Sequence, residues 1–160
     1  MASVYTMMMD AQCMTHQHII FMCVMISRDS DMSKCPFCDI EKKRIIHSGL
    51  LAVVVRDGFP ISPGHSLIIP KRHYASFFEA RPNEIDELYE MLLTAKTRLK
   101  MDYQCDGFNI GINDGLCAGQ TVGHLHIHLI PRYDGDVEDP RGGVRWVIPE
   151  KAKYWSEDNE

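Results

Sequence analysis

The chain has no apolar run of about 20 residues, the length a membrane helix needs. Its longest early stretch, "HIIFMCVMI" (residues 18–26), is far shorter, and no lysine or arginine precedes it as in a signal peptide. Membrane insertion is therefore not expected. Basic charge is not in excess either: 17 Lys and Arg stand against 22 Asp and Glu, a net charge of -5, which argues against a nucleic-acid backbone as the main partner. The six cysteines, Cys13, Cys23, Cys35, Cys38, Cys105 and Cys117, are too sparse for a secreted disulfide scaffold, so a reducing, cytoplasmic setting is expected. No internal repeat or low-complexity tract is present. The 160 residues, 45% of them hydrophobic, suffice for one domain with its own core.

Residues 1–34 differ in texture from the rest, holding eight of the ten methionines. They read either as a segment docked on the domain or as a non-native extension ahead of Met32, and loose order is expected there. The domain is expected over 35–160, with a C-terminal tail from about 133.

"LLAVVVRD" (50–57) predicts a strand stopped by the turn formers of "DGFPISPG", and "HSLIIP" (65–70) a second. Ile85, Leu88, Leu92, Ala95 and Leu99 recur at three and four residues and predict one long helix, with Pro82 in its first turn. "GFNIGI" (107–112) and "HLHIHLI" (124–130) predict two further strands. Strands around one long helix imply an α+β fold with an antiparallel sheet. His47, in "RIIHSG", reads as a turn residue, Cys105 and Cys117 as small, partly buried side chains, and "YDGDVEDP" as a solvated acidic loop.

Three histidines alternate in "GHLHIHLIPR". On a strand, His124, His126 and His128 would share one face and Leu125, Ile127 and Leu129 the other. Three imidazoles side by side suggest metal ligation, proton handling or nucleophilic attack, because histidine changes charge near neutral pH. The Cys35-x-x-Cys38 pair is open to three readings: redox pair, half a zinc site, or two buried thiols. The first wants a thioredoxin-like context that is missing. The second needs two more ligands, from among His47, His65, His73 and His124.

"GQTVGHLHIHLIPR", with "SPGHSLIIPKRH" and "CPFC" upstream, resembles the histidine triad superfamily of nucleotide hydrolases and transferases. The resemblance runs from about Cys35 to Arg132. It implies that His126 is the nucleophile, that His128 helps hold the phosphate, and that His65 belongs to the same hydrogen-bonded cluster. It further implies a structural zinc on Cys35, Cys38, His73 and His124, ribose on Asp57, the base against Phe37, and phosphate contacts from Asn113, Gln120 and Thr121. Arg141 and Arg145 in the tail are expected as further phosphate contacts. The segment from Cys38 to Asp57 is shorter than in many relatives, which leaves the lining of the base pocket open. The implied protein is a cytoplasmic homodimer that cleaves a nucleotide at its α-phosphate, with a dinucleoside polyphosphate such as diadenosine tetraphosphate as substrate. The alternatives are a phosphoramidase or phosphorylase of the same kind, or a nucleotide-binding regulatory protein.

Overall fold

The structure is a computed structural model and describes residues 35–154; the expectations for residues 1–34 lie outside them. Five strands, β1 (Ile45–Ser48), β2 (Ala52–Arg56), β3 (Ser66–Pro70), β4 (Gly107–Gly111) and β5 (Ile127–Arg132), form one sheet in the order β1-β2-β3-β5-β4, every pair antiparallel. One long helix, α1 (Pro82–Tyr103), separates β3 from β4. Among the described residues no helix is long and apolar enough to cross a membrane.

β1 departs from expectation. "IIHS" is an edge strand, so His47 is an exposed strand residue and not a turn residue. The run is too short to show alternation, and a register shift between Ile45 and His47 breaks the pattern further. The turn lies at Gly49–Leu51, where Glu87 of α1 accepts the Leu51 and Ala52 N–H groups. This is why β2 begins at Ala52 although the apolar run begins earlier.

β2 from Ala52 to Val55 and β3 from Leu67 to Pro70 are continuously apolar because both their faces are covered. Ala52, Val54, Ile68, Leu125, Ile127 and Leu129 pack with Leu88, Met91, Ala95 and Leu99 of α1. Val53, Val55, Leu67 and Ile69 point the other way, against Phe37, Ile40 and Ile45. The buried helix stripe uses Met91, while Ile85 and Leu92 are only half-buried, so α1 is turned slightly from the expected face. Pro82 begins α1 as expected. Arg81 offers no capping side chain; instead Glu84 reaches back to the Arg81 N–H at 2.8 Å. Arg72, 2.6 Å away, holds the buried Glu84 carboxyl down at about 2.

Candidate active site

The chain bends at residues 122–124 and runs into β5 through Leu125 and His126, with the Leu125 N–H donating to the Tyr74 carbonyl at 2.7 Å. The alternation therefore runs back past the ladder. Leu125, Ile127 and Leu129 enter the core beneath α1, while His126 and His128 line a pocket on the opposite side of the sheet. That pocket holds about 580 Å³ and also takes in Phe37, Arg44, Asp57, Phe59, His65, Asn113 and Thr121. Its size suits a small-molecule ligand.

The hydrogen bonds assign the histidine tautomers. His126 Nδ1 lies 2.8 Å from the His124 carbonyl, which can only accept, so Nδ1 carries the proton and Nε2 the lone pair. The Ile61 N–H donates to His65 Nδ1 at 3.4 Å, leaving the proton on His65 Nε2. That proton faces His128 Nδ1 at 3.0 Å and the Asp57 carboxylate at 3.4 Å. His128 Nδ1 is thus an acceptor, and its Nε2 is left as a donor. One ring offers a lone pair and its neighbour an N–H, with ring centroids 5.1 Å apart. Burial lowers the pKa of His65 and of His128; for His128 the neighbouring imidazoles add to it, and for His65 Asp57 partly opposes it. Both are therefore neutral at pH 7. His65 owes its place to Gly64, whose φ of 84° suits glycine and whose missing Cβ would stand 2.7 Å from Leu99.

His124 faces a different group. It is fully buried, with Nδ1 3.5 Å from Cys35 Sγ and 3.6 Å from Cys38 Sγ; Cys38 Sγ lies 3.2 Å from His73 Nδ1. One donor atom from each of these four residues falls within 4.8 Å of the others. A tetrahedral zinc, with its bonds of about 2.0–2.3 Å, separates its ligand atoms by roughly 3.3–3.8 Å, so this donor set fits such a metal. His124 Nε2 lies 2.8 Å from the Pro70 carbonyl and so donates to it, which turns the Nδ1 lone pair toward the sulfurs. Cys35-x-x-Cys38 is therefore part of a metal-competent cluster, and both thiols are free.

Other expected contacts lie elsewhere. Gln120 is buried away from the pocket: its Oε1 accepts from the Gly115 N–H and its Nε2 donates to the Ala75 carbonyl, each at 2.8 Å, so it pins the loop and does not face a phosphate. Arg145 donates to the carbonyls of Lys151 and Ala152 and packs over Tyr154; Arg141 pairs with Asp139. Neither lines the pocket. In the acidic loop Asp136 is bound by Arg132 at 2.6 Å. Cys105 is buried as expected, but Cys117 is exposed. Arg44 and Phe59 line the pocket without having been singled out by any motif.

The family model of the HIT domain matches residues 39–135. The chain belongs to the histidine triad family. A HIT-like protein of Mycoplasma genitalium is 35% identical over 106 residues, covering 64% of this chain and 75% of that protein. The asymmetrical bis(5′-nucleosyl)-tetraphosphatase of Schizosaccharomyces pombe is 38% identical over 80 residues, half of this chain and 44% of that enzyme. Among solved structures, a zinc-bound histidine triad family protein from Mycobacterium smegmatis superposes with a TM-score of 0.60 at 31% identity, over 65% of this chain and 78% of that one. Among its described residues this histidine triad protein has one open five-stranded antiparallel sheet and one long helix, which matches the fold of these structures.

Proposed function

We propose that this histidine triad protein hydrolyses a nucleotide at its α-phosphate through a nucleotidyl intermediate on His126, with a dinucleoside polyphosphate such as diadenosine tetraphosphate as substrate. The observation that carries the reading is the tautomer of His126, held by the His124 carbonyl with Nε2 unprotonated, beside a His65–His128 pair that leaves a donor next to it.

A neutral imidazole is a competent nucleophile at physiological pH. The Nε2 lone pair attacks the α-phosphorus; a P–N bond forms, and the P–O bond to the leaving polyphosphate breaks with its electron pair. Water then attacks the same phosphorus, the P–N pair returns to Nε2, and the water's proton passes to solvent. His128 Nε2–H, with Thr121 and Asn113, stabilises the charge that builds on the equatorial oxygens. Asp57 takes the ribose and Phe37 the base.

A zinc held by Cys35, Cys38, His73 and His124 would supply structural cross-linking, since these four protein donors would complete a tetrahedral set. Phe37, between the two cysteines, stands with its ring centroid 5.1 Å from that of His126, so the same knuckle walls the pocket. Thiolate ligands need a reducing compartment, which suits the cytoplasm. At the sheet edge, β4 pairs only with β5 among the described residues and exposes Ile110, which supports assembly as a homodimer through that edge.

The test is rapid quench with substrate labelled on the α-phosphate, run beside adenosine phosphoramidate and with and without inorganic phosphate. Acid-labile, base-stable label on the protein during turnover is the expected result. Turnover without such label would replace the intermediate by direct attack of water, and nucleotide binding without product would favour a regulatory role.

A further inference from the structure

Two polar side chains of the loop after β4, Asn113 and Thr121, line the pocket, and each has beside it a residue that does not. Asp114 follows Asn113, and its Oδ2 accepts the Ser76 hydroxyl at 2.9 Å and the Phe77 N–H at 2.8 Å. Gln120 precedes Thr121 and donates to the Ala75 carbonyl at 2.8 Å. Both ends of the loop are therefore tied to one stretch of three residues, 75–77, in the connection between β3 and α1.

That stretch is itself bonded on both sides. The Tyr74 carbonyl, just before it, accepts the Leu125 N–H at 2.7 Å, and Glu79, beyond it, accepts the Ser76 N–H at 3.3 Å. His73, in the same connection, has Nδ1 3.2 Å from Cys38 Sγ. Between the two anchors, by contrast, residues 115–119 are exposed. The Asn113 amide donates to the Gly119 carbonyl at 3.5 Å, a long contact that aims the side chain poorly. Its direction follows instead from where Asp114 fixes the adjoining backbone.

We propose that Asp114 is a positioning residue for the reaction: it holds the loop after β4 against residues 75–77 and so aims Asn113 at the phosphate, as Gln120 does for Thr121. Donors stabilise a transition state only where they meet the charge as it develops, and a misplacement of about 1 Å can cost on the order of a hundredfold in rate. The role needs an acceptor at a fixed distance and does not need a charge. The inference rests on the reading of this pocket as a nucleotide site.

Steady-state kinetics of the full chain with diadenosine tetraphosphate, beside calorimetric titration with AMP, tests it on the wild type and on Asp114→Ala, Asp114→Asn and Asp114→Glu. Asp114→Ala is expected to lose about a hundredfold in kcat with KM and AMP affinity nearly unchanged, the signature of an interaction realised in the transition state. Asp114→Asn keeps an oxygen at the same place and is expected to stay within about fivefold of the wild-type kcat. Asp114→Glu keeps the charge but is one methylene longer, so it is expected to be impaired like the alanine variant. An Asp114→Glu protein with wild-type kcat, or an Asp114→Asn protein as slow as Asp114→Ala, would overturn the positioning role while leaving the nucleotide site standing. So would an Asp114→Ala protein whose AMP affinity falls as far as its kcat, since the residue would then support the pocket in general. A wild type that neither turns over the dinucleotide nor binds AMP would remove the site itself, and the role of Asp114 with it.

Discussion

His124 and His126 are two residues apart in the chain, yet their surroundings make them different reagents. His124 has both ring nitrogens engaged, Nε2 with the Pro70 carbonyl and Nδ1 with two thiols, and no part of it reaches solvent. His126 has one nitrogen engaged, and its ring lines the pocket. The first arrangement suits holding a metal and the second suits attack on phosphorus. The chemistry of each imidazole is thus set by which nitrogen the fold leaves available, and for His126 the deciding acceptor is the backbone of His124 itself.

The largest effect that sharpens this contrast comes from deleting the free nitrogen. His126→Ala is expected to reduce turnover by roughly a million-fold, as loss of a covalent nucleophile does, with nucleotide affinity largely kept, since binding rests on other groups. His128→Ala removes one donor and is expected to cost roughly a hundred- to thousand-fold in kcat. Steady-state rates beside calorimetric affinities check both, and equal losses for the two variants would erase the distinction between nucleophile and donor.

On the other side of the contrast the readout is stability. His124→Ala, or chelation of a bound metal from the wild type, is expected to lower the melting temperature by roughly 10 °C or more, because the free energy of ligation at a structural site is folding free energy. His126→Ala should leave the melt nearly unchanged. Elemental analysis of the folded protein supplies the stoichiometry, with one zinc per chain expected and none in His124→Ala.

The smallest effect concerns protons. Burial lowers the pKa of His65 and His128 below the ordinary 6.5, so below pH 6.5 the unfolded chain takes up protons before the folded one does. Stability is therefore expected to be level above pH 6.5 and to fall as the pH drops below it. Protonation of His128 at Nδ1 also removes the acceptor that joins it to His65, so kcat/KM should fall on the acid side with an apparent pKa below 6.5. A profile that is flat down to pH 5 would show that the His65–His128 tautomers do not matter to the reaction.

Much of this was legible without coordinates. Alternation in "HLHIHLI" separates a core face from a histidine face because strand side chains point to opposite sides in turn, and the helical stripe around Leu88, Ala95 and Leu99 follows from the period of α1. The grouping of Cys35 and Cys38 with His73 and His124 was implied by the resemblance and matches the donor cluster.

What periodicity and composition by themselves determined is the class of each element and which residues share a face, because those depend on local geometry that repeats every two or 3.6 residues. Tertiary structure alone decided the partners. Gln120, adjacent to Thr121 in sequence, is turned inward by the Gly115 and Ala75 backbone groups it satisfies. Arg145 is held by carbonyls of the tail. β1, too short to show alternation, exists because β2 offers it an edge, and it brings Arg44 to the pocket. Each of these outcomes depends on hydrogen-bonding groups far apart in the chain competing for one partner, and no local pattern records which of them wins.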